Sequence, residues 1–527
     1  MDYNSIAKNH QVKALSKFNE CYATIMVVIF SLIPTMAIIS PQDFGTIFTG
    51  VGRWLIMWSL VFLGVFQLIS YATFDSSKHS LKERFKFCMI KTRNSILKHN
   101  VGMIMAAFLV LVIIASLVAY FDGSQVVSNL AYSNQTSTEV AKQAFEGMKF
   151  TDTRLYQGTD FRPDGVRMYL IFAALFVYVS MIKDKKLKQI ILAVNVVSFV
   201  LVSLVVLQQY YGIIGTSGVK DSGVIGDKLK AFYDSKGIRV GHFFKGLTGS
   251  FYNLNHVGYY IVIGSMLVSG MVIMSKKIVS KILWSVLAIY SYYIMIINDT
   301  FGCYIAIMIA LAIAGVLKLI ADLKLLQKGT YKVWRVCLDS LLPFILFVAL
   351  SVSFVALSGE ENTITKNFKT FGKDIKTVAT SDDKDEEGKT GSGRMKMWVA
   401  TTNMIKENPV FGYGPDNLKA EYVENKATLD RAHNEPLEKA VSVGIPATIV
   451  YYAGVVLAIA MFIKKRQNFM EPSSFLPFMA LLGYLVSSLF GVFLFYTAGY
   501  FVMMLAFVTS NEPEVIVSNT KSPKKKQ

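Results

Sequence analysis

The sequence predicts an all-α fold, a polytopic bundle of about twelve transmembrane helices with one large, partly helical loop on the exported side. An apolar excess, a series of uncharged segments long enough to cross a bilayer, and cations confined to alternate loops together predict it. Of 527 residues, 53% are hydrophobic and 17% charged, too apolar for a soluble domain of ordinary composition. About twenty apolar residues cross the hydrocarbon core as a helix. Stretches of that kind place spans near 21–39, 55–71, 101–120, 168–182, 190–207, 251–274, 278–297, 301–317, 341–357, 445–463, 475–493 and 494–509.

The net charge of +18 does not point to nucleic acid, because its placement is topological. Lysines and arginines collect at 8–17, 78–98, 183–188, 276–281, 318–335, 464–466 and 524–526. These positions fall on one side of the predicted membrane, as the positive-inside rule requires for an even number of spans with both termini in the cytoplasm. Cys21, Cys88, Cys303 and Cys337 all lie in spans or on the basic side, so no disulfide framework is implied. The amino end resembles a signal peptide, but Ser40-Pro41 lacks small-residue cleavage chemistry, and the run reads as an uncleaved first helix.

Segments 1–357 and 445–510 hold the spans, 358–444 is the large exported loop, and 511–527 is a basic cytoplasmic tail. Two further exported loops cover about 121–167 and 208–250; the first is polar and shows no chemistry, and its Asn134-Gln135-Thr136 reads as a chance glycosylation match. Within the large loop, 381–393 is charged and glycine-rich, a linker. Met395, Trp398, Val399, Asn403 and Met404 then recur at helical spacing until Asn408-Pro409, predicting a short amphipathic helix on the membrane surface. Gly412-Tyr413-Gly414-Pro415 predicts a tight turn, 416–429 a second helix, and Asn434-Glu435-Pro436 the capped start of a third that closes at Gly444.

The spans hold almost no charge, and the polar groups beside them share the exported face. They are Arg239, His242 and Lys245 before the sixth span, Asn253, Asn255 and His256 at its start, Asp299 in the next turn, and Arg394, Arg431 and His433 in the large loop. A transporter places such groups near the bilayer midplane, so this arrangement suits surface chemistry better than alternating access.

The ordered set Gly393-Arg394, Trp398, Asn408-Pro409, Gly412-Tyr413-Gly414-Pro415, Ala432-His433-Asn434-Glu435-Pro436-Leu437 and Gly444-Ile445-Pro446 resembles the loop signature of the O-antigen ligase and O-antigen polymerase superfamily. Arg239 with Gly246, Gly249, Asn253 and Asn255 is similar to the family's Arg, Gly-rich stretch and Asn-Pro-Asn helix start. Two positions depart from the pattern: Thr300-Phe301-Gly302 stands where the family often has Ser-Arg-Gly, and Asn253-Leu254-Asn255 where it has Asn-Pro-Asn. The missing arginine leaves one cation fewer for a phosphate.

The resemblance implies a GT-C-like membrane glycosyltransferase. Its donor would be an oligosaccharide on polyprenyl diphosphate, such as undecaprenyl diphosphate, and its acceptor a glycan, lipid or protein hydroxyl; ligase and polymerase are not separated. Such a transfer needs cations on the leaving diphosphate and a base for the hydroxyl. Arginine forks suit the first, which makes Arg239, Arg394 and Arg431 the candidates, and His433 suits the second. Trp398, Gly412, Gly414, Asn434, Asn253 and Asn255 support the motif. No Asp-x-Asp stands in an exported loop beside these groups, so chemistry without metal or cofactor is expected. Bland alternatives accompany each role: Arg394 and Arg431 pairing with the acidic run Asp383 to Glu387 or with lipid phosphates, Asp299 capping the eighth span, His256 and Asn255 as helix-packing polars. A glycolipid flippase and an inactive scaffold are the rival classes.

Overall fold

The computed structural model describes residues 10–38, 44–73, 80–97, 100–123, 148–158, 163–211, 247–251, 253–326, 333–358, 362–380, 394–425, 431–491 and 495–510. Among them the regular structure is all helical, with no strand. In order the helices are α1 (His10–Ser31), α2 (Gly45–Thr73), α3 (Leu81–Leu97), α4 (Asn100–Phe121), α5 (Val166–Met181), α6 (Lys185–Tyr210), α7 (Leu254–Met274), α8 (Ile278–Asn298), α9 (Phe301–Leu326), α10 (Val333–Ser358), α11 (Thr363–Thr380), α12 (Arg394–Glu407), α13 (Lys419–Glu424), α14 (Glu435–Lys464), α15 (Pro472–Ser488) and α16 (Phe495–Thr509). Eight of these (α2, α4, α6, α7, α8, α9, α10 and α14) are long and apolar enough to cross a membrane, and α5, α15 and most of α16 are shorter apolar helices. The polytopic helical bundle read from the sequence is the fold.

α7 is the central post. It packs on α8, α9 and α15, while α4 lies along α14 and α5 along α1 and α16. The two ends of the bundle differ in how they are tied. At one end the bonds run between basic loops and scattered acids: Lys185 pairs with Glu471 at 2.7 Å, and Lys281 with Asp339. At the other, backbone and amide groups do the tying. Gln209 Nε2 donates to the Gly249 carbonyl at 3.3 Å and its Oε1 accepts from Gly249 N at 2.8 Å, while Asn298 donates to the Leu247 carbonyl at 3.0 Å. The motif residues gather at this second end.

The large loop differs from its sequence reading in three ways. An unforeseen helix, α11, follows directly on α10. The expected surface helix, α12, has a protein partner instead: Met397, Ala400 and Met404 are buried against Leu418, Tyr422 and Val441, because its apolar positions face the chain that returns through the Gly412 turn. The helix expected over 416–429 is the shorter Lys419–Glu424, since Asp416 adopts a left-handed backbone (φ 54°) that an α-helix does not continue. Residues 426–430, like the linker 381–393, lie outside the described residues.

Candidate active site

The site is built on a kink in α14. Gly444 has φ 85° and ψ 162°, outside helical space, and Pro446 has no N–H to give. The carbonyls of Val441 and Ser442 therefore lose their helical donors, and a buried carbonyl without a donor is costly. The Gly412–Gly414 turn supplies both: Tyr413 N donates to Val441 O at 2.9 Å and Gly414 N to Ser442 O at 2.8 Å. In return Ile445 N donates to Pro409 O at 2.8 Å. Glycine is required on both strands of this splice. Gly412 has φ 64°, and a Cβ there would meet the Val441 carbonyl at 2.4 Å; one on Gly444 would meet the Val410 carbonyl at 1.9 Å. Asn408 completes the turn by donating to the Gly412 carbonyl at 2.7 Å.

Beside the splice lies an ion cluster below the surface. Arg431, 6% exposed, donates from Nη2 to Asp164 Oδ2 at 2.8 Å and to Asp416 Oδ1 at 2.9 Å, and from Nη1 to Glu438 Oε1 at 3.4 Å. The second oxygens of two partners extend the tie: Glu438 Oε2 accepts from Ala432 N at 2.8 Å and Asp164 Oδ1 from Phe495 N at 3.1 Å. The loop before α5, the turn after Pro415, the start of α14 and the first N–H of α16 thus meet on one guanidinium. At the first residue of α14, Glu435 accepts from Tyr484 at 3.0 Å and Tyr451 at 3.3 Å and pairs with Lys439 at 3.7 Å. The Lys439 ammonium stands 4.2 Å from the Tyr451 ring centre.

His433 sits between these anchors. It is half-buried and has φ 50°, in the left-handed region that a side chain with a Cβ seldom occupies, at a cost on the order of 1 kcal/mol. Asn434 caps α14 by accepting from Leu437 N at 3.1 Å, and its amide donates to the Leu489 carbonyl at 3.0 Å. The imidazole is therefore carried one residue before a helix N-terminus, held on one side through Ala432 and Glu438 and on the other through Asn434.

The remaining expected residues divide. Arg394 opens α12, half-buried, within electrostatic reach of Tyr259 on α7 and Cys303 on α9; Glu435 reaches the same tyrosine. Trp398 packs on the Met397–Tyr422 cluster. Asn253 caps α7, accepting from Asn255 N at 2.8 Å, and His256 is buried in the first turn of that helix. Arg239 and His242 lie outside the described residues. Asp299 does not cap α9. It takes the left-handed position that ends α8 (φ 59°), its carboxylate accepts from Asn367 of α11 at 2.7 Å, and burial raises its pKa against the lowering effects of that bond and of Lys366.

Arg431 is the clearest departure. With three carboxylates on its nitrogens it is a tie between segments, and a diphosphate brought there would meet net negative charge. The sequence reading gave no part in the site to Asp164, Asp416, Glu438 and Lys439, and took Glu435 only as a motif residue suited to a helix start. Glu438 and Lys439 did carry a signal, being charges within a few residues of an apolar span.

Fold and site together define a multi-pass helical membrane protein with a preformed polar platform at one end of its bundle. Residues 285–452 match the protein-family profile described as O-antigen ligase. That stretch, from α8 through the first half of α14, holds Arg394, Trp398, Gly412, Gly414, Arg431, His433 and Asn434, and the match supports the resemblance to the O-antigen ligase/polymerase superfamily. No curated protein matches the chain.

Proposed function

We propose that the chain joins a glycan carried on a polyprenyl diphosphate to an acceptor hydroxyl, with His433 as the base and with Arg394 and Arg239 on the leaving diphosphate. The observation that carries this reading is the strained left-handed backbone of His433, fixed from both sides by Glu438 and Asn434. Strain of this kind persists only where the surroundings over-determine it, and it concentrates at functional sites. In the transfer, the acceptor O–H gives its proton to the imidazole and its oxygen bonds to the anomeric carbon. The bond from that carbon to the diphosphate oxygen breaks, and the electron pair leaves with the diphosphate. Arginine forks hold the leaving group without any metal in the scheme. Arg431 acts on His433 through Glu438, as a positioning residue. The site faces the exported side, and acceptor identity, whether lipid, glycan or protein, separates ligase from polymerase.

The test is transfer in proteoliposomes with labelled lipid-linked glycan and a sugar acceptor. His433→Ala is expected to lower product formation by at least about 100-fold at unchanged protein abundance; product at the wild-type level removes His433 as base. His433→Gly separates chemistry from strain, since it too loses product while gaining stability on the order of 1 kcal/mol. Arg394→Ala and Arg239→Ala should each impair donor use more than the lysine variants do, and equal activity in all forms would remove the diphosphate roles. Movement of glycolipid across the vesicle without a new glycosidic bond would replace the reading with transport.

A further inference from the structure

Helix α11 has no place in the chemistry above, and its sequence is written for a different surface. At 100° per residue, Lys366, Lys369, Lys373 and Lys376 fall within an arc of about 80°. Ile364, Phe368, Phe371, Ile375 and Val378 occupy a similar arc on the opposite side, and Asp374 is the one acid in the helix. The helix begins at the level of three apolar helix ends. α10 ends at Ser358, with Leu357 88% exposed, only a few residues before it. Asn367 ties the first turn to Asp299 at the end of α8, and Phe368 stands edge-on to Phe301 at the start of α9, with ring centres 5.1 Å apart.

The apolar stripe starts inside the protein and runs out of it. Ile364 is 8% exposed and belongs to the main core, whereas Phe368, one turn on, is 44% exposed. Lys366 and Lys369 are exposed on the other face.

We propose that α11 lies in the membrane interface, its apolar stripe seated at the acyl boundary as an extension of the core and its lysine stripe bound to anionic phospholipid headgroups. A helix with one strongly basic face, one apolar face and little net hydrophobicity has this physical preference. The surface shares no residue with the proposed catalytic or diphosphate groups, so the lipid-binding role can fail while the glycosyl-transfer reading holds, and the reverse.

The test is hydrogen exchange of residues 363–380 in the full chain, embedded in nanodiscs of phosphatidylcholine alone or with added phosphatidylglycerol. Exchange is expected to be about tenfold slower in the anionic discs, with the difference abolished at roughly 0.5 M salt. Lys366→Arg/Lys369→Arg/Lys373→Arg/Lys376→Arg should keep the lipid dependence, and the corresponding four-fold Glu variant should lose it. Exchange within α7 reports whether that variant is folded; if it is not, Lys366→Gln/Lys369→Gln replaces it, with about half the lipid dependence expected. Equal exchange in both discs overturns the proposal, as does a charge-reversed helix that still prefers anionic lipid. Protection that tracks the number of chains per disc instead of the lipid would assign the surface to a second copy and likewise overturn it.

Discussion

α2 and α7 have the same mean hydropathy, 1.9, yet 22% of the apolar window of α2 is buried inside the protein against 89% for α7. Hydropathy reports that a helix prefers a bilayer to water; it carries no information on whether lipid or protein surrounds it. The difference lies in the side chains. α7 carries Gly258, Gly264 and Gly270 with Ser265 and Ser269, all buried, and neighbours press directly on its backbone. In α2 the outward positions are large, with Trp54 63% and Phe62 71% exposed, and Gly64 has nothing near it. Small residues mark close helix packing where lipid supplies no hydrophobic drive between helices. Polar groups follow the same division: the ion cluster is placed where protein encloses it, beside the core.

Exchanging charge in the two environments tests this division most severely. Arg431→Met leaves Asp164, Asp416 and Glu438 without their shared cation, and loss of one partner from a buried ionic cluster costs about 3–5 kcal/mol. Arg53→Met, on the exposed face of α2, should stay within about 0.5 kcal/mol. Unfolding titrations in mixed micelles measure both, and comparable losses would mean that burial does not set the cost. Glycines give the next contrast. A Cβ on Gly264 would lie 2.3 Å from the Phe199 ring, so Gly264→Ala is expected to destabilise by about 1–3 kcal/mol through overpacking. Gly64→Ala has open space and a helical backbone, and should instead stabilise by up to about 1 kcal/mol. A tolerated Gly264→Ala would show that α6 and α7 are not in close register.

This comparison also marks where sequence reading succeeds. Eight of the expected spans were legible because uncharged length is a one-dimensional property. The turn at Gly412–Gly414, the Asn434 cap and the stop at Gly444 were legible because backbone chemistry is local. The role of Arg431 was not. Its partners lie 267, 15 and 7 residues away, and a motif does not distinguish a guanidinium that meets phosphate from one that meets three carboxylates. Asp164 sits in a loop that reads as featureless and is given its purpose only when the fold brings Arg431 and the start of α16 to its carboxylate. α11 escaped notice for another reason: its net hydrophobicity is near that of a loop, and the helix appears only when charge and apolar residues are followed together around the axis.

The smallest expected effect lies at the border between core and interface, at Asp299. Burial raises its carboxyl pKa, while the Asn367 bond and Lys366 lower it, and burial prevails. A folded-state pKa above the unfolded one means that the folded protein holds more proton in the window between them. Stability therefore falls as pH rises through that window and stays reduced above it. Asp299→Asn keeps a side-chain oxygen for Asn367 and suits the left-handed backbone, but carries no charge to desolvate. The melting temperatures of variant and wild type should nearly coincide near about pH 4 and separate in favour of the variant by about pH 7. A difference independent of pH, or a less stable variant at neutral pH, would show that attraction from the basic face of α11 outweighs burial. The lysine stripe would then be turned partly toward the protein, and the division drawn between the enclosed core and its interfacial edge would have to move outward by one helix.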